Sequence, residues 1–84
     1  MPAVPVRFAS HVGQNIRALP VPEREEVRAA VLRACENPWA WPAADNDDEE
    51  LDEYVRVITT SAAILHYVII PGPDPHLWIF MILA

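Results

Sequence analysis

Three side chains in the second half of the chain could do chemistry together: Arg56, His66 and Tyr67. An arginine stabilises developing negative charge, and an imidazole and a phenol can exchange protons. Such a set suits general acid–base cleavage of a phosphodiester. However, His66 and Tyr67 are neighbours in an apolar stretch that predicts a strand, and adjacent strand residues point to opposite faces. The residues therefore supply catalytic candidates but no self-sufficient catalytic motif.

Each of these residues also has a structural interpretation. We expect His66, which lies among apolar neighbours, to be a hydrogen-bonded structural histidine; catalysis or pH sensing is the alternative. Arg56 is either a surface residue that pairs with nearby acids or a contact for an anion. His11 and His76 are expected at the surface, and they lie too far from His66 in sequence to indicate a metal site.

The remaining reactive groups indicate neither a metal nor a cofactor. The single cysteine, Cys35, excludes an internal disulfide and fits a reducing cytoplasm. It lies in a helical pattern with no His or second Cys at metal spacing, so we expect a small packed side chain. Only Gly13 and Gly72 are glycines, which excludes a glycine-rich phosphate loop. The N-terminus lacks the apolar core of a signal peptide, and the apolar runs are too short to span a membrane.

Charge is concentrated in one acidic run, DNDDEELDE, at residues 45–53. The run holds seven of the twelve acids of a chain with a net charge of -6 and no lysine. It lacks the glycine and the distal glutamate of a calcium loop, so we expect a solvated charged loop. Outside the run six arginines face five acids, which argues against non-specific nucleic-acid binding.

The pattern predicts one α+β domain over residues 1–84. A short N-terminal strand is expected in residues 1–9, and an antiparallel helix hairpin in residues 10–36, with helices at about 10–19 and 22–36. A proline-bounded segment with Trp39 and Trp41 precedes the acidic run, and together they fill residues 37–53. The tryptophans are expected to plug one end of the core; an aromatic contact for a ligand or partner is the alternative. A three-stranded antiparallel meander is predicted for residues 54–84, with strands at about 53–60, 62–70 and 76–83.

The meander is too apolar to be left exposed to solvent on both faces. Residues 57–84 carry one formal charge, Asp74. Strict alternation in the last strand places one apolar set (Leu77, Ile79, Met81 and Leu83) on one face and a second set (Trp78, Phe80 and Ile82) on the other. The helices can cover one face only. We therefore expect Trp78, Phe80 and Ile82, with Trp39 and Trp41, to bind a partner or a second copy of the chain.

The order of elements and the sequence patterns of four segments resemble those of the RelE/ParE family of bacterial toxins. The segments are VRF at 6–8, IRALP at 16–20, REEVRAAVLRACENP at 24–38 and YVRVITTSAAILHYVI at 54–69. The resemblance implies a cytoplasmic toxin-type protein that a cognate antitoxin neutralises, with DNA gyrase or the ribosome as the cellular target. It also implies that Arg56 matches a strand arginine common in the family.

The sequence departs from the family pattern at two places, and both bear on whether the protein cleaves RNA or acts by binding. The basic segment that often precedes the arginine-bearing strand is replaced by the acidic run, and the chain ends in IFMILA, which has no side chain able to act on a phosphodiester. We therefore predict a RelE/ParE-like protein that acts by protein–protein binding, neutralised by an antitoxin or self-associating, without nuclease activity. A ribosome-dependent, metal-independent mRNA endonuclease is the alternative.

Overall fold

A computed structural model describes residues 3–44 and 53–84, and this part of the chain forms two helices and four strands. The elements in chain order are β1 (Val6–Phe8), α1 (Ser10–Ala18), α2 (Val21–Glu36), β2 (Val55–Thr59), β3 (Ile64–Ile70) and β4 (His76–Leu83). The predicted order of one strand, two helices and three strands is confirmed, and the boundaries of the helices and of the three meander strands differ by at most two residues. The chain is a small α+β domain.

The strands form one mixed sheet in the order β1-β4-β3-β2. β2, β3 and β4 are the predicted antiparallel meander, and β1 pairs with β4 in parallel. The backbone N–H of Leu77 donates to the carbonyl of Pro5, and that of Ala9 donates to the carbonyl of Ile79, each at 2.9 Å. β4, apolar along its whole length, therefore lies inside the sheet with strands on both sides, as is typical of such strands.

The segment before the acidic run protects the other edge of the sheet. Ala43 forms a bridge with Arg56 of β2. The backbone N–H of Ala44 donates to the carbonyl of Val55 at 2.8 Å, and that of Val57 donates to Pro42 at 3.0 Å. Because an unpaired strand edge can template aggregation, these bonds remove part of that hazard from β2.

Prolines set the limits of both helices. α1 ends before Leu19-Pro20, because a proline restricts the residue before it to extended conformations. Pro22 lies in the first turn of α2, where its missing N–H costs nothing, and α2 ends at Asn37-Pro38. Within residues 3–44 and 53–84, no helix has the length and apolar character required to cross a bilayer.

The core lies between the helices and one face of the sheet. Its buried side chains are Val12 of α1; Val27, Val31, Ala34 and Cys35 of α2; Ile58, Leu65, Tyr67, Leu77 and Ile79 of the sheet; and Ala63. Each strand contributes alternate residues to this face, as the pleat of a strand requires. Burial of these apolar side chains is the main favourable term for folding.

A β-bulge in β4 breaks the alternation that the sequence predicts. Tyr67 is paired with Ile79 and His66 with Met81, so Phe80 is an extra residue on β4. After the bulge Ile82 lies opposite Leu65 and packs against the core, and Met81 is exposed. The predicted faces are therefore wrong from Met81 onward: Ile82 belongs with the core, and Met81 and Leu83 belong with Trp78. An inserted residue reverses the facing of everything after it.

The turn between β2 and β3 is tied to helix α2. As predicted, the turn begins at Thr60-Ser61, and the Thr60 hydroxyl accepts a hydrogen bond from the backbone N–H of Ala63 at 2.9 Å. The backbone N–H and the hydroxyl of Ser61 both donate to the carboxylate of Glu26. These two bonds hold the pKa of Glu26 below its ordinary value, because they favour the charged form.

We predict that the Glu26→Gln variant is less stable than the wild type at neutral pH and that the difference vanishes in acid. A carboxyl group whose pKa is lowered by folding stabilises the native state above its unfolded pKa, and the effect is lost as the pH falls through the folded pKa. The measurement is the free energy of unfolding in urea at several pH values between neutrality and roughly pH 3, since carboxyl groups titrate near the acid end of this range. Glu25→Gln is the matched control, because Glu25 makes no hydrogen bond or ion pair to the described residues. A difference between Glu26→Gln and wild type that stays constant with pH would contradict the assignment.

Candidate functional site

The face of the sheet turned away from the helices is the first candidate site, and we call it the open face. Its apolar and aromatic side chains are Val55 and Val57 of β2; Ile64, His66, Val68 and Ile70 of β3; and Trp78, Met81 and Leu83 of β4. None of these side chains is fully buried, whereas their strand neighbours on the other face form the core. The described residues therefore leave this face without a cover.

The pairing of the strands arranges the open face in rows. One row is Val57, His66 and Met81, and a second is Val55, Val68 and Trp78. Side chains opposite each other on neighbouring strands are within contact distance, so each row is continuous across three strands.

The β4 side of the open face is the more exposed. Trp78 and Met81 are 36% and 39% exposed, and Leu83 is 57% exposed. Ile64, opposite Leu83, is 38% exposed. A contiguous apolar patch of this kind is typical of an interaction surface rather than of a free monomer surface.

The N-terminal end of β4 carries the charged border of the open face. Arg7 of β1 is paired with Trp78 and donates to the carboxylate of Asp74 at 3.2 Å. Both side chains of this ion pair are largely exposed. An exposed pair contributes little to stability, so it is better described as a polar rim beside Trp78 than as a structural support.

His66 lies in the middle of the open face. Its ring centroid is 6.3 Å from that of Phe80, the bulge residue, in a tilted arrangement. Its Nδ1 is buried and has no hydrogen-bond partner among the described residues, in contrast to the hydrogen-bonded histidine that the sequence predicts. A buried polar atom without a partner is costly, and this one lies in the middle of an otherwise apolar face.

Arg56 lies on the opposite face, in a cluster with both tryptophans. Its Nη1 donates to the carbonyl of Trp41 at 3.2 Å, and its guanidinium lies 4.7 Å from the ring centroid of Trp39. Trp39 also contacts the ring of Tyr54, with centroids 5.7 Å apart. We call Arg33, Trp39, Trp41, Tyr54 and Arg56 the Arg–Trp cluster. Its cation–π contacts fix the segment before the acidic run onto β2.

The two tryptophans have different roles in this cluster. Trp41 is half-buried against the core, its Nε1 donates to the carbonyl of Ala30 at 3.1 Å, and the guanidinium of Arg33 covers its ring at 4.9 Å. Trp41 therefore plugs the end of the core as predicted. Trp39 is 45% exposed, so it does not act as a plug and is held by Arg56 and Tyr54 instead.

Tyr67 is fully buried beside Arg56. Its hydroxyl donates to the carbonyl of Pro38 at 2.6 Å. Burial raises the pKa of this phenol to about 12, and the positive charge of Arg56 lowers that pKa only in part. The phenol therefore stays protonated at neutral pH and holds the chain after α2 in place.

The three catalytic candidates are not brought together. Arg56 and Tyr67 are directly paired across β2 and β3, and both face the core side. His66 faces the other side of the sheet, beside Met81. No single phosphodiester could contact all three side chains, because the sheet lies between them.

The other predicted residues also have definite positions. Cys35 is buried, and burial together with the nearby charge of Glu36 raises the pKa of its thiol, which disfavours the reactive thiolate. His11 is exposed, and His76 is half-buried with its Nδ1 2.9 Å from the carbonyl oxygen of Asp74. Across the described ranges no three His, Cys, Asp or Glu side chains are close enough to hold a metal ion. The expectation of a solvated acidic loop, and of its pairing with Arg56, concerns residues 45–52, which lie outside the described residues.

Comparison of the chain with protein-family models gives no match, and comparison with curated proteins gives none either.

We predict that Tyr67→Phe lowers the free energy of unfolding by about 1–2 kcal/mol, because the carbonyl of Pro38 loses its donor in a partly buried site. Tyr54→Phe is the matched control, since the Tyr54 hydroxyl has no hydrogen-bond partner among the described residues and the side chain is exposed. The measurement is equilibrium unfolding in urea, followed by far-ultraviolet circular dichroism. Equal losses in the two variants would contradict the proposed role of the Tyr67 hydroxyl.

Proposed function

We propose that this chain is a protein-binding module of the RelE/ParE type, which acts when another protein chain covers its open face. The single observation that carries the proposal is the exposure of Ile64, Trp78, Met81 and Leu83 side by side on a sheet whose other face is the core. The resemblance in sequence suggests two chains that would cover the open face: the tail of a cognate antitoxin and a second copy of this chain.

The chemistry of the open face favours a protein as its occupant. Apolar area removed from water is the main source of association energy, and aromatic and methionine side chains are enriched in the centres of interfaces. Trp78 and Met81 supply such side chains in neighbouring rows, and Arg7 supplies a polar rim beside Trp78. A central aromatic anchor with a polar border is the usual arrangement of an energetic hot spot.

The residues predicted to bind a partner fall into three groups according to their position in the fold. Trp78 lies on the open face, and Phe80 lies at the bulge with its ring near His66. Ile82 stabilises the core, and Trp39 and Trp41 lie in the Arg–Trp cluster on the helix side. We therefore assign the binding surface to Trp78 and Phe80 together with Ile64, Met81 and Leu83.

We predict that Met81→Glu abolishes binding at the open face and leaves the fold intact. A carboxylate at an exposed position costs the monomer little, but its desolvation in an apolar interface is expensive. The measurements are sedimentation velocity over a range of concentrations, binding of a hydrophobic dye, and co-purification with the product of the adjacent gene, which the resemblance implies to be the antitoxin.

The control for this experiment is Val21→Glu. Val21 is 58% exposed at the start of α2, away from the open face, and a glutamate suits a helix N-terminus. Self-association of the wild type indicates a second copy as the occupant, and a stoichiometric complex with the adjacent gene product indicates an antitoxin. A wild type that stays monomeric at all concentrations, binds no dye and forms no complex would overturn the proposal.

We further propose that the protein does not cleave RNA, since His66 is separated from Arg56 and Tyr67 by the sheet. Expression in a bacterial host is expected to give no cleavage of mRNA, with the Arg56→Ala/His66→Ala double variant behaving like the wild type in this respect. Primer extension on abundant messages is the measurement. Wild-type cleavage that the double variant loses would reinstate the endonuclease alternative.

A further inference from the structure

A groove on the helix side of the domain has a different character from the open face. It has a volume of about 440 Å³, which is within the usual range for small-molecule sites. Its lining comes from β1 (Val6 and Phe8), α1 (Ile16) and α2 (Arg24, Glu25, Val27, Arg28, Val31 and Leu32). Because three elements form its walls, its shape is set by the packing of the fold.

Charge is confined to one end of this groove. Arg24, Glu25 and Arg28 lie in the N-terminal half of α2, and Val31 and Leu32 lie further along the helix. The rise from Arg24 to Leu32 is roughly 12 Å at the helical repeat. The groove is therefore polar at one end and apolar along the rest of its length.

The charged end favours an anion. Among the described residues neither Arg24 nor Arg28 forms an ion pair, and the two arginines outnumber the one carboxylate, Glu25. A carboxylate placed between the two guanidinium groups would accept charge-assisted hydrogen bonds.

The apolar end favours a hydrocarbon. The buried floor begins at Val27, between the two arginines in sequence, and continues to Val31. Phe8 and Leu32 also line the groove and are 38% and 52% exposed. These two side chains are large apolar groups left in contact with solvent, so a ligand tail lying between them removes their surface from water.

We propose that this groove binds a linear amphiphilic carboxylate, with its head group at Arg24 and Arg28 and its apolar tail along Val27, Val31 and Phe8. The proposal is independent of the open face, because the groove residues come from the helices and the core side of β1. The ligand is defined by its chemistry: one negative charge at the end of an unbranched, medium-length hydrocarbon.

The test is titration of the isotope-labelled full chain with decanoate below its micelle concentration, followed by two-dimensional NMR. We expect saturable shifts confined to the residues that line the groove. The Arg24→Gln/Arg28→Gln double variant is expected to weaken binding about tenfold or more, since charge-assisted hydrogen bonds are among the strongest polar contacts. Arg17→Gln is the matched control, because Arg17 is an exposed helical arginine outside the lining.

Three outcomes would overturn the proposal. Decanol, which has the same tail without the charge, could bind as tightly as decanoate. The shifts could instead map to Ile64, Trp78 and Met81, which would mark detergent-like adsorption on the open face. The groove residues could also shift with protein concentration alone, which would make a second copy of the chain the occupant. The Met81→Glu variant should bind decanoate as the wild type does, so failure of the open-face proposal leaves this test valid.

Discussion

The sheet has two apolar faces, and the two helices cover only one of them. Among the described residues the covered face contributes five of the eleven buried core side chains, from Ile58 on β2 to Ile79 on β4, and the helices contribute five more. The uncovered face consists of the alternate residues of the same strands, and most of these residues in β2, β3 and β4 are also apolar. β4 shows the constraint most clearly, because Leu77 and Ile79 are buried while Trp78 between them is exposed. This difference between a covered and an uncovered apolar face underlies the proposed binding surface.

The edges and the ends of the sheet are managed by specific contacts. Ala43 bridges to Arg56 along one edge, and the short strand β1 lies along the other. The Arg–Trp cluster and the Tyr67 hydroxyl then hold the tryptophan segment against α2 and β2. These contacts give Arg56 and Tyr67 structural roles, although both residue types can take part in catalysis. Among the described residues, in contrast, the open face has only the Arg7–Asp74 ion pair at its border, and the Nδ1 of His66 lacks a hydrogen-bond partner.

The helices and strands are predictable from the sequence, whereas the features that depend on the exact register of the strands are not. The helices and the meander follow from apolar spacing and from prolines at their limits, and both are local signals. The parallel pairing of β1 with β4 joins residues about seventy positions apart in the chain, and no local pattern encodes it. The bulge at Phe80 has no signal in HLWIFMILA, because every residue there is apolar and either facing satisfies the pattern. The separation of His66 from Tyr67 was predictable, since it needs only the alternation of a strand. The stacking of Arg33 and Arg56 on the tryptophans was not, because it depends on how the segment after α2 folds back.

Because a binding surface loses contact with solvent when a partner covers it, the most direct measurement is the solvent accessibility of the methyl groups on the open face. A soluble paramagnetic probe broadens the NMR signals of exposed methyl groups, and Ile64, Met81 and Leu83 provide reporters on the open face, with Val21 as an exposed reporter elsewhere. We expect the three open-face reporters to become protected as the protein concentration rises or as the product of the adjacent gene is added, with Val21 unchanged. Open-face methyl groups that remain as accessible as Val21 under all of these conditions would contradict the assignment of a binding surface.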